Sequence, residues 1–453
     1  MFNRILIANR GEIALRILRC CREMGIEAIV VYSEADRDSL PVMEAADAIC
    51  IGPATASASY LNEDIIIQAA LQKGCDAIHP GYGFLSENAD FARKCEENGI
   101  VFIGPSADII SRMGDKQAAR KLMMENNIPV VPGSKELLNT TEEAVAMAEK
   151  IGYPVMLKAS AGGGGKGMRQ AFNAEEVKSA FETARAEARA AFGNDDMYME
   201  KLIVDPHHIE FQILADKAGN TIYLGERNCS LQKNHQKLLE ESPSSIIDEK
   251  LRKEMGETAV RAAKAAGYFN AGTIEFILDG SGNYYFIEMN TRIQVEHPVT
   301  EEITGIDLIR EQIRIACGMN LSLKQEDVKI QRHAIECRIN ALTPGKVEFV
   351  HFPSGYGVRI ESHLYSGYEV SPYYDSMIAK VIVTGKTRLE TVRRLRRVLE
   401  EIVIDGIKTN YDLMYLLSYH PEFLRGNYTT GFWEAHHKQL EDWLTEGLKN
   451  NEA

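Results

Sequence analysis

Side chains that can bind metal ions occupy one side of a predicted strand within residues 285–300. The first half of this segment alternates as a strand does, so that Glu288 and Asn290 point to one face while Ile287 and Met289 point to the other. Carboxylate, amide and phosphate oxygens are the ligands that Mg²⁺ prefers. The pattern therefore favours a site for Mg²⁺ and a nucleotide, with a solvated strand face as the alternative.

A further carboxylate is expected opposite this strand. Residues 271–278 are predicted to form a second strand, and a loop of glycine, serine, glycine and asparagine could close a hairpin with Asp279 opposite Tyr284. That register places Glu275 directly across from Glu288. Two facing carboxylates repel each other unless a cation lies between them, which again favours a metal site.

A run of four glycines precedes Lys166, between strands predicted at residues 153–159 and 168–172. The run differs from a phosphate-binding P-loop because glycine, rather than serine or threonine, follows Lys166, and because a strand comes next. The backbone N–H groups of such a hairpin tip can fold over phosphates. We interpret the run as a lid over a nucleotide, and a surface loop without a ligand is the alternative.

Two further strands are predicted to bring polar side chains together. The first carries His208, Glu210 and Gln212 on one face. The segment that follows the second contains Gln232, His235 and Lys237. Such groups are typical of an anion or phosphate site, although lone histidines are more often structural.

The loop at residues 79–87 carries two glycines around Tyr82. Glycines let the backbone of a loop approach a ligand closely. A tight connection in which Tyr82 only packs against its neighbours is the alternative.

Length, charge and cysteine usage narrow the class of protein. The chain has 453 residues, and because single cores stop growing beyond about 250 to 300 residues, about two to four domains are expected. The net charge of −14 argues against general binding of nucleic acids or acidic membranes. The eight cysteines include no Cys-x-x-Cys pair, which argues against a zinc cluster and favours a reducing cytoplasm. No run of about 18 apolar residues occurs, so neither export nor a membrane span is expected.

Short apolar strands at residues 5–8, 28–32, 77–79 and 101–103 alternate with helical segments. This alternation predicts an open parallel sheet covered by helices. A dinucleotide site is not favoured, because Gly-x-Gly-x-x-Gly is absent after the first strand. Short strands and a basic helix at residues 389–402 predict a separate α+β domain towards the C-terminus.

Several long motifs resemble, in order, those of biotin carboxylase, an ATP-grasp enzyme. They are residues 5–14 (ILIANRGEIA), 79–88 (HPGYGFLSEN), the glycine run, 235–237 (HQK) and 286–301 (FIEMNTRIQVEHPVTE). The resemblance extends from residue 1 to about residue 445. It implies a fold of the α/β and α+β classes, an ATP-grasp fold with an N-terminal open parallel-sheet (Rossmann-like) domain and a C-terminal α+β domain. The implied boundaries are 1–114, 115–330 with a lid at about 131–203, and 331–446.

The family couples ATP cleavage to activation of bicarbonate as carboxyphosphate and then carboxylates N1 of biotin. The resemblance implies that Glu296 is the general base for bicarbonate and that Arg338 stabilises the biotin enolate. It also implies that Lys237 contacts the bicarbonate-derived group and that Arg292 binds bicarbonate. The ligands implied for two Mg²⁺ or Mn²⁺ ions that bridge the phosphates are Glu275, Glu288 and Asn290.

The remaining positions follow from the same resemblance. Lys116 and Lys158 would contact the phosphates of ATP. The residues implied for the lid, the adenine hinge and the surroundings of the nucleotide are Gly164, Gly165, Glu200, Lys201, Ile203, His208, Gln232 and His235. Those implied for bicarbonate and biotin are Gln294, the Val295 N–H, Tyr82 and Gly83. Two features depart from the family pattern: Ile203 replaces the usual leucine, and the loop between Glu275 and Glu288 is one residue longer.

The resemblance also implies partners. No Met-Lys-Met biotin-attachment tripeptide occurs in the sequence, so biotin is expected on a separate biotin carboxyl carrier protein that works with carboxyltransferase subunits. We expect a cytoplasmic homodimer that catalyses the first half-reaction of acetyl-CoA carboxylase in fatty acid biosynthesis. The alternatives are a pyruvate or propionyl-CoA carboxylase, a different ATP-grasp ligase and a silent nucleotide-binding subunit.

Overall fold

The N-terminal part of the chain forms the predicted parallel sheet. The computed structural model describes residues 1–134, 136–159, 168–192, 195–234 and 236–451. The first elements are β1 (Arg4–Ile7), α1 (Gly11–Glu23), β2 (Glu27–Tyr32), α2 (Leu40–Glu44), β3 (Asp47–Cys50), α3 (Glu63–Gln72), β4 (Ala77–His79), α4 (Ala89–Glu97), β5 (Val101–Phe102), α5 (Ala107–Gly114) and α6 (Lys116–Glu125). The strands pair in parallel in the order β3-β2-β1-β4-β5. Because residues 5–7 of β1 are buried on both faces, they read as a continuous apolar run in the sequence.

The described chain divides into two compact units. One comprises residues 1–128, 207–276 and 288–453, and the other comprises residues 129–206 and 277–287. The second unit contains α7 (Thr141–Ile151), β6 (Val155–Ala159), β7 (Met168–Ala171), α8 (Ala174–Phe192) and β8 (Met197–Lys201). Its strands are antiparallel in the order β7-β6-β8, and the helices pack on them.

An eight-stranded sheet runs through the remaining chain. The elements are β9 (His207–Ala215), β10 (Thr221–Lys233), β11 (Gln236–Ser242), α9 (Glu249–Ala265), β12 (Asn270–Leu278), β13 (Tyr284–Asn290), α10 (His297–Thr304), α11 (Leu308–Ala316), β14 (His333–Asn340), β15 (Gly345–Lys346), β16 (Phe349–His351), β17 (Val358–Ser362), β18 (Glu369–Val370), β19 (Met377–Gly385), α12 (Arg388–Glu401), β20 (Val403–Asp405), α13 (Tyr411–Leu417), α14 (Pro421–Arg425) and α15 (Phe432–Asn451). Its strand order is β13-β12-β9-β10-β11-β14-β19-β17. Among the described helices, none combines the length and apolar character needed to cross a membrane.

Strand β9 separates an apolar from a polar face, as its alternation predicts. Phe211 is fully buried and packs edge-on against Phe276 of β12, with ring centroids 6.1 Å apart. Glu210 and Gln212 point to the other face, where both side chains contact Arg227 of β10. The apolar face thereby anchors the strand and leaves the polar face for chemistry.

The hairpin between β12 and β13 differs from the predicted register. The Asp279 N–H donates to the Asn283 carbonyl at 2.9 Å, and the Gly282 N–H donates to the Asp279 carbonyl at 3.1 Å. Asp279 therefore pairs with Asn283, and the expectation that it lies opposite Tyr284 was wrong. Gly282 adopts a left-handed φ of +86°, which lets residues 280–282 close the hairpin as a three-residue loop, one residue shorter than predicted. Counting from the loop consequently does not place Glu275 opposite Glu288.

Glu241 of β11 connects the eight-stranded sheet to the C-terminal helices. Its fully buried carboxylate accepts hydrogen bonds from Arg388 of α12 and from the Tyr428 hydroxyl, both at 2.7 Å. His333 lies 3.2 Å away. Burial alone would raise the pKa of Glu241, but His333 and Arg388 lower it from 4.5 to about 2.

Acid should therefore weaken the fold through Glu241. Because the folded-state pKa is below the unfolded one, the stabilisation is complete above about pH 4.5 and is lost as the pH falls through about 2. The shift corresponds to about 3 kcal/mol of the free energy of unfolding. In Arg388→Met the folded-state pKa rises, so denaturant unfolding from about pH 6 to about pH 2.5 should show a smaller loss. Arg93→Met, which removes an exposed ion pair with Asp90, should leave the acid dependence unchanged. Equal pH dependences in Arg388→Met and the unaltered chain would contradict this account.

Candidate active site

Lys237, at the start of β11, contacts three buried carboxylates. Its Nζ lies 2.6 Å from Glu210, 2.6 Å from Glu296 and 3.2 Å from Glu275. Burial would lower the pKa of Lys237, but these three carboxylates raise it well above its ordinary value. The ammonium group is therefore a fixed cation at the centre of the polar face.

Glu275 of β12 has further partners around its carboxylate. His208, Asn290 and Gln294 each place a side-chain nitrogen 2.8 Å from its oxygens. Burial acts to raise the pKa of Glu275, but Lys237 and His208 outweigh it and lower the pKa far below 4.5. Glu275 is consequently ionised and held in one orientation.

Glu296 lies between two cations. Besides Lys237, Arg338 of β14 contacts its carboxylate at 2.9 Å, and the Arg338 Nε donates to Glu240 at 2.6 Å. Glu296 is almost completely buried. Burial would raise its pKa, whereas Lys237 and Arg338 lower it well below 4.5. The carboxylate is therefore unprotonated.

Arg227 of β10 organises this face, and the sequence interpretation missed it. The side chain is fully buried, and all of its terminal nitrogens and Nε donate hydrogen bonds. Its partners are Glu210, Gln212, Thr273, Gln294 and Thr300. In the sequence, Arg227 is visible only as a charged residue within a strand that is otherwise expected to be buried. That pattern does not show which residues it contacts.

The residues after β13 carry the expected bicarbonate ligands. The Arg292 Nε donates to Glu87 at 2.9 Å, and its guanidinium also donates to the Asn290 amide oxygen at 3.0 Å. The Val295 carbonyl accepts a hydrogen bond from Lys380 at 2.8 Å. Neither Glu87 nor Lys380 was singled out from the sequence, because both lie far from these residues along the chain.

The metal-ligand candidates Glu275 and Asn290 are joined by a hydrogen bond, whereas Glu288 contacts a different residue. Glu288 lies 3.4 Å from the ammonium of Lys116, and both side chains are partly open to solvent. The three candidates offer only carboxylate and amide oxygens, which is the donor chemistry that fits Mg²⁺ or Mn²⁺. The residues present therefore fit such ions.

The second compact unit holds the candidates for the adenine hinge. Within it, Lys158 of β6 forms an ion pair with Glu200 of β8. The Lys201 ammonium donates to the backbone carbonyls of residues 152–153 at 2.9 and 2.6 Å. Ile203 follows β8 and is half-buried.

His208 and Gln232 contact each other on the polar face, with side-chain nitrogens 2.8 Å apart. This confirms that neighbouring strands bring the two residues together. His235, Gly164 and Gly165 lie outside the described residues.

The side chain of Asn9 holds the loop that carries Tyr82 and Gly83. The Asn9 amide donates to the carbonyls of Pro80 and Tyr82, each at 2.7 Å. A Cβ at Gly81 would come within 2.9 Å of the Asn9 amide nitrogen, so only glycine allows this approach. Gly83 also adopts a positive φ, of +70°.

Three family models match successive parts of the chain. Residues 1–110 match the biotin carboxylase N-terminal domain, residues 115–324 the ATP-binding domain of the carbamoyl-phosphate synthase L chain, and residues 336–435 the biotin carboxylase C-terminal domain. The chain is also 55% identical to biotin carboxylase 1 of Bacillus subtilis (strain 168), over 96% of this chain and 99% of that relative. The chain belongs to the biotin carboxylase family. The motif resemblance, the ATP-grasp fold class and the assignment to the ligases are thereby confirmed.

Two other relatives are named as parts of different carboxylases. A pyruvate carboxylase subunit from Methanothermobacter thermautotrophicus is 47% identical, over all of this chain and 94% of that relative. A solved structure of the biotin carboxylase domain dimer of Hydrogenobacter thermophilus 2-oxoglutarate carboxylase is 48% identical with a TM-score of 0.89, over 97% of this chain and 99% of that one. That structure contains MgADP, ADP and bicarbonate, the same classes of ligand as those expected here.

Replacing Arg227 with lysine should strongly destabilise the biotin carboxylase fold. Lysine keeps the charge but cannot satisfy acceptors in five directions, so buried acceptors lose their donors. We expect the free energy of unfolding, measured with denaturant, to fall by about 3 kcal/mol or more. Arg93→Lys, at an exposed pair, should change it by less than about 1 kcal/mol. Similar losses in the two variants would contradict the role given to Arg227.

Proposed function

We propose that this chain uses ATP and bicarbonate to carboxylate biotin on a separate biotin carboxyl carrier protein. The observation that carries the proposal is the placement of the Glu296 carboxylate between Lys237 and Arg338. This arrangement supplies a proton acceptor and two fixed cations at one point. Bicarbonate activation requires that combination, because a weak nucleophile must lose a proton while negative charge accumulates.

In the proposed first step, Glu296 takes the proton of bicarbonate. A bicarbonate oxygen then attacks the γ-phosphorus of ATP, the bond from that phosphorus to the β-phosphate oxygen breaks, and ADP leaves. The product is carboxyphosphate. Arg292, Gln294 and the Val295 N–H hold bicarbonate, and Lys237 balances its developing charge.

The nucleotide and its ions belong to a second group of residues. Glu275, Glu288 and Asn290 would hold two Mg²⁺ or Mn²⁺ ions through their carboxylate and amide oxygens, and the ions would neutralise charge on the phosphates of ATP. We propose that the remaining candidates contact ATP: Lys116, Lys158, Gly164, Gly165, Glu200, Lys201, Ile203, His208, Gln232 and His235.

In the second step, carboxyphosphate separates into CO₂ and phosphate. The phosphate takes the N1 proton of biotin, and the biotin nitrogen forms the new bond to CO₂. Arg338 stabilises the enolate through its fixed charge, while Tyr82 and Gly83 border the ring.

The proposed organisation is a cytoplasmic homodimer that works with carrier and carboxyltransferase subunits. Within each chain we propose an N-terminal domain at residues 1–114, an ATP-grasp domain at 115–330 with a lid at about 131–203, and a C-terminal domain at 331–446. Acetyl-CoA is the first candidate for the final acceptor. The names of the relatives also support pyruvate or 2-oxoglutarate, and propionyl-CoA is a further alternative.

The unaltered chain should cleave ATP only when bicarbonate is present and should form carboxybiotin from free biotin. Arg338→Gln should lower carboxybiotin formation by at least about tenfold more than it lowers ATP cleavage, because the lost charge stabilises the enolate. Radiolabelled bicarbonate and phosphate release measure the two rates, and Arg332→Gln, an exposed arginine on the same approach to β14, is the control.

Other outcomes distinguish the alternatives. ATP cleavage without carboxybiotin, under any biotin concentration, would favour a different ATP-grasp ligase. ATP binding without turnover would favour a silent nucleotide-binding protein. An equal loss of both rates in Arg338→Gln would assign that residue a structural role.

The acceptor can be identified by reconstitution. With the carrier and carboxyltransferase subunits of its own source, the chain should transfer label from bicarbonate to acetyl-CoA. Label in pyruvate, 2-oxoglutarate or propionyl-CoA instead would reject the acetyl-CoA assignment while leaving the biotin carboxylase reaction intact.

A further inference from the structure

Lys380 of β19 is a buried lysine next to the expected bicarbonate ligands. Its side chain is fully buried, and its ammonium donates to the Val295 carbonyl at 2.8 Å. The same ammonium lies 3.1 Å from the carboxylate of Glu12, which is also almost completely buried. Lys380 therefore ties a backbone atom of the bicarbonate segment to the first turn of α1.

Glu12 extends this connection to the expected biotin side of the site. The Tyr82 hydroxyl donates a hydrogen bond to the Glu12 oxygen that also faces Lys380. The Lys380 ammonium lies 5.9 Å from the centre of the Tyr82 ring. One ion pair thus contacts both Val295 and Tyr82.

Further charged groups lie on the strands at either side of Lys380. In β14, Arg338 is the register partner of Lys380, and Glu336 is buried nearby. On the other side, in β17, the register partner of Lys380 is Glu361, which is buried and pairs with Arg359. Neither Glu336 oxygen has a hydrogen-bond partner within the described residues. Burial raises the pKa of Glu336, and the Lys380 charge acts in the opposite direction. Lys380 therefore holds Glu12 by contact and influences Glu336 only through its charge.

Stability alone does not account for such a pair. Removing a lysine and a glutamate from water is costly, and apolar residues of similar size often give equal or greater stability. The Glu12–Lys380 pair instead fixes the orientation of its neighbours, because Lys380 donates a hydrogen bond to a backbone carbonyl and Glu12 accepts one from a hydroxyl.

We propose that Glu12 and Lys380 are positioning residues that couple the bicarbonate segment at Val295 to the biotin loop at Tyr82. This inference rests on the proposed function. With the pair intact, the CO₂ released from carboxyphosphate forms next to the bound biotin. When the pair is lost, the two segments shift relative to each other, so that phosphate is still released but less CO₂ reaches the biotin nitrogen.

The experiment measures carboxybiotin formed per phosphate released, in the full chain with ATP, bicarbonate and free biotin. We expect this ratio to fall by at least about tenfold in Glu12→Gln and in the double variant Glu12→Gln/Lys380→Met, because misplacing reacting groups by about 1 Å costs on the order of 100-fold in rate. The double variant removes the charges of Glu12 and Lys380 together and so guards against misfolding of Lys380→Met alone. A change in the amount of folded protein alters both rates together and leaves the ratio unchanged.

Glu226→Gln is the matched control. Glu226 is a fully buried carboxylate that accepts a hydrogen bond from Arg252 at 2.7 Å. It lies away from the catalytic face, so its replacement should leave the ratio unchanged. A ratio equal to that of the unaltered chain in either Glu12→Gln or the double variant would overturn the proposal. Failure of the proposed function has a different result, since the unaltered chain would then form no carboxybiotin.

Discussion

The polar face of the eight-stranded sheet depends on the ammonium group of Lys237. Glu275 and Glu296 are both buried near each other, and repulsion between their charges would oppose ionisation of both without nearby cations. With Lys237 in place, the carboxylates of Glu275 and Glu296 stay charged despite burial. The attraction between the buried ammonium and the buried carboxylates therefore offsets the cost of burying these charges. The site is thus ready to receive anions and cations.

Rigid strands hold this arrangement in place. Arg227 connects β9, β10 and β12 through its hydrogen bonds, and Arg338 connects β14 to β11 through Glu240. Side chains on strands of one sheet are positioned more accurately than side chains on loops. The residues after β13 are the exception, and their backbone is fixed from outside by Glu87 and Lys380.

Sequence patterns that extend over a few residues predicted many of the strands and the faces on which their side chains lie. A period of two placed His208, Glu210 and Gln212 on one strand face, and the observed contacts share that face. Contacts between distant segments were not predictable from spacing, because Arg338 and Glu240 are 98 residues apart and Lys380 and Val295 are 85 apart. The hairpin register failed for a local reason, since the left-handed conformation of Gly282 closes the hairpin with a loop of three residues instead of the four predicted. The resemblance to a family supplied the candidate roles that physical patterns alone left open.

The most direct test of the account follows the oxygen atoms of bicarbonate. If bicarbonate attacks the γ-phosphorus, its attacking oxygen remains bound to phosphorus when carboxyphosphate loses CO₂. Turnover with ¹⁸O-labelled bicarbonate, before label exchanges with water, should then give phosphate that carries one ¹⁸O atom, as read by mass spectrometry. Phosphate without ¹⁸O would show that water attacks ATP instead, and it would contradict the role assigned to Glu296, Lys237 and Arg338.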